Sequence, residues 1–170
     1  VRTPGSTANA PLRVNVEKCM DLILNKFKFG GAEKANVYFD QTNRRMLNTP
    51  RVLAFQLAEH LLRINRKEDA LKIADHVLKS INEKAFPTGL SQEDRTMILM
   101  TDVYIKAGGK SQAKMLTDKL MKFLEDDIAY MNSLPADKKD FKQDDIQFEL
   151  TAMNFLANEA MNNGMQDIGK

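Results

Sequence analysis

Residues 57–70 read LAEHLLRINRKEDA, and residues 100–113 read MTDVYIKAGGKSQA. Laid over each other, the two stretches share one spacing. Leu57-Ala58 answers Met100-Thr101, Leu61 answers Tyr104, Asn65 answers Gly108, and Ala70 answers Ala113. From the large residue to the turn residue is four positions, and from the turn residue to the small residue is five. Apolar positions recur at three and four, which is the helical period. Asn or Gly tolerates the left-handed conformation that ends a helix. A small Ala lets a second helix come close to the first. Each stretch therefore reads as a helix, a tight turn and an antiparallel helix.

This is the inner part of the tetratricopeptide (TPR) pattern. The fold expected is all-α: antiparallel helix pairs in a right-handed, TPR-like α-α superhelix. The match has departures. Ala54 and Met97 stand where a large aromatic opens the first helix, and Ala74 and Thr117 replace an aromatic on the second. The two small positions lie 43 residues apart, with KAFPTGLSQ (84–92) inserted.

Outward from the pairs, the rest of the chain follows the same period. A first helix is expected over 16–27, capped by Asn15, with Val16, Met20, Ile23, Leu24 and Phe27 as its stripe. Gly30-Gly31 stops it. Val37, Tyr38 and Phe39 read as a buried loop anchor. Asp40 or Thr42 caps a short helix carrying Met46 and Leu47. Thr49-Pro50 reads as a restart, a hydroxyl cap before a Pro at the first helical position. The helix from Pro50 to Ile64 then presents Leu53, Leu57, Leu61 and Ile64. The next, 67–84, presents Ala70, Leu71, Ala74, Val77, Leu78 and Ile81. Ser91 to Asp94 resembles a capping box. Two further helices end near Ala107 and Met131. The last begins after Pro135 or near Gln143, reaches about Asn162, and carries Ile146, Leu150, Met153, Phe155, Leu156 and Ala157. Residues 1–15 read as a linker from an upstream region, and 16–170 as one helical domain.

Composition narrows the function. The 170 residues carry a net charge of +2, one Cys and two His. A chain this balanced lacks the basic excess of a nucleic-acid binder. No run of 18 apolar residues spans a bilayer. Cys19 alone makes no internal disulfide, and His60 and His76 lack metal-ligand spacing, so no cofactor or metal is expected. Gly30-Gly31 and Gly108-Gly109 end helices and do not fit phosphate-loop spacing. Asp126-Asp127 and Asp144-Asp145 point in different directions around a helix and read as solvated. Met97, Met100, Met115, Met121 and Met153 fall at core spacing.

NKFKFGG (25–31), then VYFDQTNRRM (37–46), then a pair containing Leu57-Ala58-Glu59 and Leu61, resembles one bacterial family. It is the family of multi-spanning membrane proteins related to protein O-mannosyltransferases, of the GT-C glycosyltransferase type. Its soluble C-terminal region carries a similar N-K-[FY]-K-W-G, G-V-Y-[LF]-D-E and L-A-E-x-L series. Phe29 stands here where Trp is common, and Asn36 near a usual Gly. The resemblance covers about 15–162. It implies a non-catalytic accessory domain, associated with the inner membrane on the periplasmic side, that docks a protein or peptide or the parent's own membrane domain. The membrane-embedded catalytic region is not in this sequence.

Two surfaces are candidates. By offset from Ala70 and Ala113, a TPR-like groove is lined by Val52, Phe55, Glu59, Leu62 and Arg63, and by Arg95, Ile98, Asp102, Ile105 and Lys106. Phe55 with the mixed charges Glu59, Arg63, Arg95, Asp102 and Lys106 would select a partner, unless the last helix of the same chain fills the groove. Residues 1–51 hold nine Lys or Arg against four Asp or Glu. Lys18, Lys26, Lys28 and Lys34 would form a membrane-proximal basic patch. A structural spacer or oligomerisation module is the alternative. An enzyme would need Glu59, His60 and Asp102 to converge, and no motif supports it.

Overall fold

A computed structural model of the chain describes residues 14–82 and 93–165. These are helical with connecting turns, and no strand occurs among them, so the fold is all-α. The chain divides into two compact units, Val1–Pro87 and Thr88–Lys170. Residues 1–13 of the expected linker, Ser91 of the expected capping box, and the end of the expected 67–84 helix lie outside the described residues.

In the first unit, α1 spans Val16–Asp21, and the Asn15 side chain accepts from the Lys18 N–H at 3.0 Å, as a helix cap should. The helix continues as a π turn, Leu22–Lys26, closed by the Phe27 N–H donating to the Leu22 carbonyl at 2.8 Å. Gly30 and Gly31 then take φ of 62° and 86°, a region costly for other residues. The buried anchor here is Phe29 with Ala32. Phe29 packs edge-on against His76, ring centroids 6.0 Å apart, and the Asn82 N–H donates to the Ala32 carbonyl at 2.7 Å. Tyr38, expected in that role, is 83% exposed. Side chains alternate in an extended segment, so Tyr38 faces out between half-buried Val37 and Phe39.

The expected restart at Thr49-Pro50 does not occur. One helix, α2, runs Gln41–Arg63 with Pro50 inside it, capped by Asp40, which accepts from the Asn43 N–H at 2.8 Å. Pro50 cannot donate to the Met46 carbonyl, an interior fault worth about 3 kcal/mol. The unbroken register compensates by placing Leu47, Arg51, Ala54, Ala58 and Leu61 on one buried face. Leu53 and Ile64, expected on that face, are exposed, because contact runs through the small Ala54 and Ala58 instead.

The α2 helix ends in a Schellman turn: Asn65 has φ 62°, Arg66 N–H donates to the Leu61 carbonyl at 2.8 Å, and Asn65 N–H to Leu62 at 3.0 Å. α3, Lys67–Ser80, returns along α2 and buries Ala70, Ile73, Ala74 and Val77. Arg66 Nε lies 2.6 Å from Asp69, and its Nη1 bonds Glu17, which ties α1 to the turn. These bonds, Glu17 first and then Asp69, raise the Arg66 pKa further above its ordinary value.

In the second unit, α4 is Glu93–Ala107 and α5 is Lys110–Ser133. Their turn repeats the first: Gly108 at φ 88°, Gly109 N–H to the Tyr104 carbonyl at 2.8 Å, and Gly108 N–H to Ile105 at 3.2 Å. Both expected starts of the last helix are used. A short α6, Ala136–Lys139, and a 3-10 turn, Asp140–Lys142, lead into α7, Gln143–Asn162. α7 packs on α4 and α5. Its buried stripe is Glu149, Ala152, Leu156 and Ala160. Of the residues expected there, Leu156 is buried; Ile146, Met153, Phe155 and Ala157 are half-buried and Leu150 is exposed.

Candidate functional site

The two helix faces expected to line a groove differ. On α2, Val52, Phe55, Glu59 and Leu62 are half-buried and Arg63 is exposed. Arg63 Nη2 bonds Glu59 Oε1 at 2.6 Å, one helical turn away. On α4, the equivalent Ile98, Asp102 and Ile105 are buried. Lys106 Nζ bonds Asp102 Oδ2 at 2.7 Å and reaches Glu159 Oε2 of α7 at 3.8 Å. The chain's own last helix thus meets α4 where Lys106 approaches Glu159. Arg95 lies in the first turn of α4, and its side chain lies outside the described residues.

The basic candidates behave alike. Lys18, Lys26, Lys28 and Lys34 are all exposed, and none forms an ion pair among the described residues. Beside them lies a feature the sequence did not advertise. An open apolar cavity of about 250 Å³ is lined by Val14, Cys19, Leu22, Ile23, Phe27 and α2 residues Leu53, Gln56 and Leu57. The π turn builds it. Leu22 and Ile23 of that turn and Phe27 at its end line the cavity, across from exposed Leu53. The only sequence signal was Leu53 itself, an apolar residue one position off the packed face.

The chemical candidates have the following surroundings. His76 packs on Phe29. Glu59 is engaged by Arg63 and Asp102 by Lys106. Asp126, Asp144 and Asp145 are exposed, and Asp145 bonds Lys142 at 2.8 Å. That bond raises the Lys142 pKa above its ordinary value. Met97 and Met100 are buried, Met121 and Met153 half-buried, whereas Met115 is exposed. No group of His, Cys, Asp and Glu able to hold a metal occurs among the described residues. Among them, no helix is long and apolar enough to cross a membrane. Glu149 is a buried carboxylate that sequence reasoning missed. Its three- and four-residue spacing to Ala152, Leu156 and Ala160 was the available signal.

Compared with known proteins, the chain matches no family model, no curated protein sequence and no solved structure.

Proposed function

We propose that this chain is a non-catalytic, TPR-like docking domain of a larger inner-membrane protein of the glycosyltransferase-like type it resembles. Its partner is a protein segment or the parent's own membrane domain, met on the periplasmic side. One observation supports the reading: the open apolar cavity at Leu53 and Leu22, with exposed Lys18 on α1 and Lys26 at the end of the π turn, neither in an ion pair among the described residues. An apolar recess beside free cations suits a partner that inserts an apolar side chain and brings acidic groups or anionic lipid headgroups. Each Lys near such a surface contributes about 1 kcal/mol.

The test is a crosslinking pull-down of the full-length parent. Deleting this domain should remove a specific partner or crosslink to the membrane region. A Leu22→Asp/Leu53→Asp double variant, folded by circular dichroism, should weaken the same crosslink at least tenfold. An unchanged crosslink pattern in both proteins rejects the reading. A second reading, a spacer or oligomerisation module, is favoured by the exposed Leu150 and Met161 on α7. Sedimentation as a monomer at high concentration rejects it.

A further inference from the structure

The cavity of the first unit has a rim charged with one sign. Among the described residues that line it none is charged; Gln56 brings an amide, Cys19 a thiol, and the others are apolar. Leu22, on its wall, stands four residues after Lys18 and four before Lys26, and both lysines are exposed. The carboxylates beside them in sequence are engaged. Glu17 bonds Arg66, and Asp21 accepts from the Asn25 amide at 2.8 Å. Across the gap on α2, Thr49, Leu53, Gln56 and His60 follow one another at helical spacing, and none is acidic.

Size, charge and spacing each select the occupant. An apolar cavity of about 150 Å³ takes a benzene ring. At about 250 Å³ this one has room for a whole aromatic or large aliphatic side chain. The eight residues from Lys18 to Lys26 rise about 10–12 Å along a helix. An extended chain covers that length in about three or four residues. A peptide with an acid on each side of an apolar anchor therefore matches both lysines at once, which a single-headed lipid chain does not. Residues 1–13 of this chain hold Arg2 and Arg13 and no carboxylate, so they lack the charge that the rim selects.

We infer that the cavity is a docking site for an extended acidic peptide, which buries one aromatic or large aliphatic side chain between Lys18 and Lys26. The inference rests on the docking reading of the same cavity and names the chemistry of the partner.

The probe is the synthetic peptide GDEFEDG, titrated into the intact chain and followed by amide chemical shifts. Saturable shifts should concentrate at Cys19, Leu22, Leu53, Gln56 and Leu57. The peptide should also slow alkylation of Cys19, the single thiol of the chain. Replacing its central Phe by Ala, or its four acids by Lys, should weaken binding at least tenfold. So should Lys18→Glu/Lys26→Glu, at exposed positions where helicity is kept. No saturable binding, or binding indifferent to that double variant, overturns the inference. So does tighter binding of decanoate at the same residues, which would make an acyl chain the occupant. A concentration-dependent dimer that Leu53→Glu abolishes also overturns it, by making a second copy the occupant. If the full-length crosslink depends on the domain and the peptide does not bind, only the acidic-peptide inference falls. If the peptide binds and the crosslink is indifferent to the domain, only the reading of docking within the parent falls.

Discussion

The α2–α3 and α4–α5 hairpins place the same kind of ion pair at the same offset and give it different surroundings. Glu59–Arg63 and Asp102–Lys106 are both acid and base one helical turn apart, 43 positions from each other. The Glu59 side chain is 43% exposed and that of Asp102 is 8%. α7 lies on α4 and contributes Glu159 to the same Lys106. Local sequence therefore sets the pair, while a helix about fifty residues later decides what the pair is worth.

The largest effect should come from the buried residue one turn before each left-handed position. Tyr104 and Leu61 occupy the same place, and both are fully buried. Tyr104→Ala should lose about 3–5 kcal/mol and Leu61→Ala about 2–4, from lost burial and the cavity left behind. Urea unfolding followed by circular dichroism measures both. If Leu61→Ala proves the costlier, the two hairpins are not built on equivalent cores.

The ion pairs come next. Lys106→Met should cost about 1–3 kcal/mol, because it strips a buried carboxylate of its charged donor. Arg63→Met should cost less than about 1 kcal/mol, as exposed pairs do. In 1 M salt the Arg63 effect should vanish and the Lys106 effect persist. Equal costs would mean that α7 does not hold its place over Asp102 in solution.

The contrast also explains what could be read from sequence. The turns were legible because their requirements are local: a left-handed residue, a large residue four before it, and a small residue five after it. Asn15 as a cap was legible for the same reason. Pro50 misled because its local rule favours a helix start, whereas the face from Leu47 to Leu61 is better served by one register. Tyr38 misled because composition does not say which side of an extended segment faces inward. The cavity takes in residues of a π turn, and the Asp102–Lys106 pair gains Glu159 from α7. Both are tertiary facts with little local signature.

The turns themselves can be broken gently. A Cβ on Gly108 would meet nothing within 4 Å, so Gly108→Ala isolates backbone strain. It should cost about 1–2 kcal/mol. Asn65→Gly at the same place in the first hairpin should gain a few tenths of a kcal/mol or leave stability unchanged, because Asn already tolerates this region. Thermal unfolding of the two variants gives the comparison. A neutral Gly108→Ala would show that the second turn adopts a different conformation in solution.

One substitution inside the hairpins should raise stability. Ala74 and Thr117 are equivalent positions on α3 and α5, and both are buried. The Thr117 hydroxyl has no hydrogen-bond partner among the described residues, so it loses its water on folding without one in exchange. Val has nearly the same shape and no hydroxyl. Thr117→Val should therefore raise stability by about 1 kcal/mol, whereas Ala74→Thr should lower it through added volume and a hydroxyl at a fully buried position. A rise in the urea midpoint with an unchanged slope is the expected readout. If Thr117→Val destabilises, the hydroxyl bonds a water or the preceding turn's carbonyl.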